Sequence, residues 1–145
     1  MHSRKLETSE IVKRLLKNKD PSYSHLLLSS VNAVVFKYEG EWVSMDIEGV
    51  IHLYKRDKIP STAIHILNRK NPSDFHLLID KSTYDIENYD KFIIIKKAVG
   101  NEMEVYGLWF YDAHACIESG FILSDQMELL KKSKELMAKC KAQKK

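Results

Sequence analysis

No apolar run in this chain approaches the roughly 20 residues that a membrane-spanning helix requires. Among the longest, Phe92 to Ile95 ends at Lys96 and Lys97 and suits a buried strand. The stretch from Met1 to Glu10 alternates polar and charged residues and lacks the apolar segment of a secretory signal, so the expectation is a protein that stays inside the cell. Cysteine is scarce: Cys116 and Cys140 lie far apart, which fits free thiols in a reducing compartment rather than a disulfide framework. The five glycines never approach the spacing of a phosphate-cradling loop. Six histidines are scattered, and only His114 and Cys116 fall close together, whereas a structural zinc site needs four ligands, usually in two close pairs. Asp80, Asp85, Glu87 and Asp90 crowd one segment without the glycine and closing glutamate of a calcium loop, and they read as a solvated acidic loop. No run of glutamates on a helix is placed to hold magnesium beside a pyrophosphate. The sequence therefore predicts no metal, no cofactor and no catalytic residue.

What is present describes one domain. A chain of 145 residues buries roughly two-thirds of its unfolded surface around a single core. Hydrophobic content of 44% and charged content of 30% are ordinary for a globular protein. The formal charge of +3 is unevenly spread. Residues 131–145 hold seven lysines and one glutamate, a local +6, so the preceding residues carry −3. A lysine-rich end of this kind adds nonspecific attraction to RNA or to acidic partners, or is simply solvated.

The apolar spacing divides the chain into three parts. Leu6, Ile11, Val12, Leu15 and Leu16 form a helical stripe opposite Lys13, Arg14 and Lys17, predicting a helix over about 8–19 with Thr8 or Ser9 as its cap and Pro21 as its stop. About eight short strands follow, over about 26–111: Leu26–Leu28, Ala33–Tyr38, Trp42–Met45, Val50–Lys55, Ala63–Leu67, Phe75–Ile79, Phe92–Lys96 and Val105–Tyr111. Turn residues such as Glu39-Gly40, Pro60-Ser61 and Asn71-Pro72 divide them. Asp112 caps a second helix, which covers about 113–145 with its lysine-rich end and bends near Gly120. Tight links between strands point to an antiparallel barrel or sandwich.

The densest signal is Tyr106-Gly107-Leu108-Trp109-Phe110-Tyr111-Asp112. Alternation puts Trp109 and Tyr111 on one face of a strand and Tyr106, Leu108 and Phe110 on the other. Gly107 leaves room beside Trp109 for another backbone or a ligand. If Phe36, Tyr38, Trp42 and Trp109 share one face, they form a cleft with flat walls and polar tips, suited to a proline-rich segment that is already extended. Taken one by one, Phe36 and Tyr38 are more often core than site, since aromatics are favoured strand residues for packing alone. Trp42, after a turn, is harder to bury.

Several stretches together resemble decapping protein 1, the activator subunit of the eukaryotic mRNA decapping enzyme. They are Glu41-Trp42-Val43-Ser44-Met45-Asp46-Ile47-Glu48-Gly49, Leu53-Tyr54-Lys55-Arg56, Ile66-Leu67-Asn68-Arg69 and Tyr106 to Asp112, with a first helix ending in Lys19-Asp20-Pro21. The resemblance covers roughly residues 8–120. It implies a mainly β fold with α elements: a seven-stranded EVH1/pleckstrin-homology-like antiparallel barrel with an N-terminal helix and a closing C-terminal helix. It also implies a noncatalytic activator that forms a heterodimer with a catalytic Nudix decapping subunit, is cytoplasmic, concentrates in P-bodies and touches mRNA only indirectly or weakly. By the same resemblance, Leu15, Leu16, Asp20 and Pro21 belong to the Nudix-partner interface, Arg56 to a basic functional patch, and Phe36, Tyr38, Trp42 and Trp109 to a cleft for proline-rich coactivators. At Phe36 many relatives carry tyrosine. Self-trimerisation and membrane binding are not expected, and residues 119–125 depart from the family pattern. The competing readings are an EVH1-type scaffold for proline-rich motifs without a decapping role, and pleckstrin-type lipid binding, which lacks a basic pocket between the early strands.

Overall fold

A computed structural model describes residues 2–143; the side chains of residues 2–9, 30, 31 and 141–143 lie outside the described part. Helix α1 (His2–Lys19) leads into strands β1 (Tyr23–Tyr38), β2 (Trp42–Arg56), β3 (Thr62–Ile66), β4 (Phe75–Ile79), β5 (Thr83–Tyr89), β6 (Phe92–Val99) and β7 (Glu102–Phe110), and helix α2 (Ala113–Gln143) follows. The seven strands form one antiparallel sheet in the order β4-β3-β2-β1-β7-β6-β5. The first and last strands are thus joined at its middle. Both halves of the sheet turn their inner faces to the same core, where Ala33, Val35, Ile64, Ile95, Leu108 and Phe110 are sealed from solvent. Each large side chain sealed there contributes about 1.5–3 kcal/mol.

α2 supplies the lid of this core through Cys116, Leu123 and Met127. Asp112 caps it as expected, accepting the His114 N–H at 3.0 Å. The helix is continuous through Gly120. A Cβ on Gly120 would lie 2.0 Å from the Asn88 amide nitrogen, so the glycine lets α2 pass directly over β5. Ser119 and Leu123 are fully buried on either side of it.

Three other expectations are corrected. Instead of eight short strands there are seven: Leu26–Leu28 and Ala33–Tyr38 are one strand, as are Trp42–Met45 and Val50–Lys55, and β5 is a strand that was not expected. Register shifts keep the long β1–β2 pair together where the pattern breaks. One of them exposes Asp46 at a φ of 59°, a left-handed conformation that a short polar side chain tolerates. The acidic segment is not a loop: Asp85 and Glu87 stand in β5, both bridged by Lys96 of β6. Thr8 and Ser9 lie inside α1, not at its start, and their side chains are outside the described residues. Among the described residues no helix is long and apolar enough to cross a membrane.

Candidate functional site

The first surface grows from the outer face of β1, β7 and β6. Because Val35, Leu108 and Phe110 point into the core, alternation turns Phe36, Gly107 and Trp109 outward. Register sets Phe36 and Ile94 on either side of Gly107, and Phe92 beside Trp109. The tight link from β1 to β2 then brings Trp42 opposite Tyr38. The rings meet in series: Phe36 to Phe92 at 6.3 Å, Phe92 to Trp42 at 5.1 Å, and Trp42 to Tyr38 at 5.2 Å, the last two edge to face. Such tilted pairs hold one another's orientation. Gly107 forms the floor. A Cβ there would lie 2.3 Å from Phe92 Cζ and 3.0 Å from Trp42 Cζ3, so the space expected beside Trp109 is taken by these two rings.

Exposure separates the members. Tyr38 and Trp42 remain 47% and 40% exposed, far more than core rings, while Phe36, Phe92 and Trp109 are half-buried. Phe36, Tyr38 and Trp42 therefore come together as expected. Trp109 flanks them on the same face, its indole packed edge to face on Tyr111 at 4.6 Å. Tyr111 in turn donates its hydroxyl to Glu48, which faces Arg69 at 3.7 Å. Phe92 was missed because the run Phe92–Ile95 reads as wholly buried. The signal that finds it is alternation, which puts Ile93 and Ile95 inside and leaves Phe92 out.

The second surface lies where α1 meets β2. Leu16, Tyr23, Tyr54 and Ala63 form a small second core, with Val12, Leu26 and Leu78 around it. Leu16 is 1% exposed, so it holds α1 on the sheet and does not face outward. Leu15 is half-buried and Pro21 exposed. Asp20 is buried and accepts three hydrogen bonds, from Arg56 Nε at 2.8 Å, Tyr54 Oη at 2.7 Å and the Ser22 N–H at 3.0 Å. Burial opposes its ionisation, but the bonds from Arg56, Tyr54 and Ser22 outweigh that and hold its carboxyl below the usual range. Arg56 and Asp20, assigned by resemblance to two different roles, are thus one ion pair. Arg56 also donates from Nη1 to the Pro60 carbonyl at 2.7 Å; its side chain is only 15% exposed.

Proton counting extends the chain. The Tyr54 hydroxyl has one proton and gives it to Asp20, so at 2.8 Å it accepts from His76 Nε2–H. Burial, joined by the bond to Asp20 and its charge, pushes the Tyr54 hydroxyl well above its usual range. His76 continues a cross-strand series, with His52 opposite His65 and His65 opposite His76 across β2, β3 and β4. His65 Nε2 lies 3.3 Å from Asp74, which also binds Lys19 at 2.7 Å. Tyr54 stands in one of the stretches that carry the family resemblance, whereas His76 is offered only by the alternation of β4. Among the described residues no group of three or more His, Cys, Asp or Glu side chains is placed to hold a metal ion.

Comparison with known proteins follows the same lines. The Dcp1-like decapping family matches residues 8–125. mRNA-decapping enzyme 1A of Sus scrofa is 29% identical over 90 residues, which is 61% of this chain and 14% of that protein; the chain spans about one-seventh of its length. The crystal structure of Dcp1p superposes with a TM-score of 0.69 at 22% identity, over 79% of this chain and 94% of the other. The solution structure of the Dm DCP1 EVH1 domain in complex with the XRN1 DBM peptide gives a TM-score of 0.71 at 22% identity, over 84% and 90%. The fold is that of the EVH1 domain and of Dcp1p, and the chain belongs to the Dcp1-like decapping family.

Proposed function

We propose that this member of the Dcp1-like decapping family is a noncatalytic activator: it binds a catalytic Nudix subunit as a heterodimer, promotes removal of the 5′ cap, and docks proline-rich coactivators in its aromatic cleft. The observation that carries the reading is the ring series over Gly107. Tyr38 and Trp42 stand open to solvent beside one another, and flat, half-exposed aromatics suit the rings of a polyproline segment, whose extended form loses little entropy on docking. That the Dm DCP1 EVH1 domain was solved with a bound XRN1 peptide supports a short linear motif as the ligand.

For the Nudix partner the exposed side of α1 is the natural contact. Ile11 is 65% exposed and stands four residues before Leu15, so the two share one helix face, with Pro21 at its end. Leu16 and Asp20, buried beneath, fix the angle at which that face is presented. Activation in this scheme is a population shift, in which the protein contacts the partner's active arrangement better than its inactive one. The complex works in the cytoplasm and its P-bodies, and mRNA contacts this chain only indirectly or weakly.

The test is single-turnover cleavage of capped RNA by the Nudix subunit of the same organism, with this protein absent, present, and alone. Stimulation by the pair with no product from this chain alone supports the activator. No association and no stimulation, with proline-rich peptide still bound, would replace it with an EVH1-type scaffold. Trp42→Ala should weaken proline-rich peptide binding while leaving the heterodimer intact, and loss of both together would refute two separate surfaces.

A further inference from the structure

Beyond the core, α2 leaves the sheet. Leu123 and Met127 are buried, Leu130 is half-buried, and every residue from Lys131 to Cys140 is exposed. The first part of this overhang faces the turn linking β2 to β3 and the turn linking β4 to β5, and the three enclose a groove of about 680 Å³. Its apolar lining comes from Ile59, Pro60, Leu129, Leu130 and Met137. Ile59 is 78% exposed and Met137 58%, a concentration of uncovered apolar surface that marks interaction sites. Its walls are held in place: Thr62 bonds Gln126 at 3.0 Å across the β3–α2 contact, and Arg56 holds the Pro60 carbonyl.

The lining of this groove carries more positive than negative charge. Lys55, Lys81 and Lys134 line it, and Lys131 and Lys132 adjoin it on exposed turns of α2. The single acid in the lining, Asp80, is already engaged by Ser82 and by Lys97 at 3.5 Å. An apolar floor with three lysines against one engaged acid in its lining complements an acidic amphipathic segment. Such a segment would place apolar residues at i, i+3, i+4 and i+7 in the groove and carboxylates against the lysines. Among the described residues the lining contains no aromatic ring on which bases would stack, and the surface is concave, which disfavours a planar membrane. None of the rings over Gly107 lines it.

We infer that the groove between α2 and the two turns is a second docking site, taking an acidic amphipathic helix from a protein partner and acting independently of the aromatic cleft. The probe is a synthetic peptide of about five helical turns, with leucine at the groove-facing positions i, i+3, i+4 and i+7 and so on along it and glutamate elsewhere, titrated into the isotope-labelled full chain and followed by amide shifts. Saturable shifts at Ile59, Lys81, Leu130 and Met137, and not at Tyr38 or Trp42, are expected. Lys134→Glu and Met137→Glu, both at exposed positions that leave the fold intact, should each weaken binding about tenfold. A matched peptide with lysine in place of glutamate should bind at least tenfold more weakly. Equal binding of the lysine peptide, absence of saturable shifts, or stronger occupation of the same residues by oligouridylate would each overturn the inference, the last in favour of RNA.

Discussion

Replacing Asp20 with asparagine tests whether the α1–β2 junction is held by charge or by shape. The carboxylate is 9% exposed and its Arg56 partner 15%, so solvent screens the pair little. Asparagine keeps one oxygen for the Ser22 N–H but loses the anion, leaving the guanidinium with the Pro60 carbonyl and no counter-charge. Removing one member of a buried pair costs about 3–5 kcal/mol. The residual exposure of Arg56 puts this case near the lower end, at about 3 kcal/mol. That is a large share of the roughly 5–15 kcal/mol available to a domain of this size.

Urea denaturation followed by far-ultraviolet circular dichroism reads this directly. With a slope of about 2 kcal/mol per molar, the midpoint should fall by about 1.5 M without a change of slope. A second signature is the acid limb. The carboxyl of Asp20 is depressed in the folded protein, so its contribution is complete above its unfolded value of 3.8 and disappears as pH falls through the folded value. The variant should therefore lose stability less steeply than the parent below about pH 4. A midpoint shift worth less than about 1 kcal/mol would place this pair with exposed ones and refute the reasoning.

How much of this was legible beforehand varies with the physics of each element. β3, β4, β6 and α2 carry either a one-sided stripe or an apolar alternation bounded by turn residues, and they were found close to their true positions, whereas α1 ends where expected but begins six residues earlier, at His2. β5 was hidden because Thr83–Tyr89 contains Asp85, Glu87 and Asn88. Its outer charges are neutralised by Lys96 from the neighbouring strand, which local pattern does not reveal. β1 and β2 were cut in two because polar residues interrupt them where register shifts occur, and tertiary pairing overrides local preference there. The aromatic cleft was legible as a set of residue types, but its member Phe92 and the close approach at Gly107 depend on cross-strand register. The Asp20–Arg56 pair joins positions 36 residues apart, so its members were visible singly and their partnership was not.

Other expectations follow from the same geometry. Gly107→Ala sets a methyl 2.3 Å from Phe92 Cζ and displaces that ring and Trp42. Proline-rich peptide affinity should fall about tenfold by fluorescence titration, and unchanged affinity would detach the cleft from its floor. Arg56→Lys supplies one point charge where the guanidinium bonds both Asp20 and the Pro60 carbonyl. A loss of about 1 kcal/mol by denaturation is expected, whereas no loss would show that one of the two bonds is dispensable. The histidine series predicts a separate weakness in mild acid. Burial first, and then the neighbouring His65, lowers His52 from 6.5 to about 4; burial also lowers His65 and His76, against the pull of Asp74 on one and Asp20 on the other. Each is neutral in the fold, so below about pH 6.5 the unfolded chain takes up protons that the folded chain refuses. Stability is thus complete above that value and falls as pH drops from 6.5 towards 4, by on the order of 3 kcal/mol for His52 alone. This window lies above the one in which Asp20 protonates, so the two effects separate along a single pH series of urea midpoints. His52→Gln should flatten the upper window and spare the lower, and a midpoint that stays level between about pH 6.5 and pH 4.5 would show that the folded chain accepts these protons without cost.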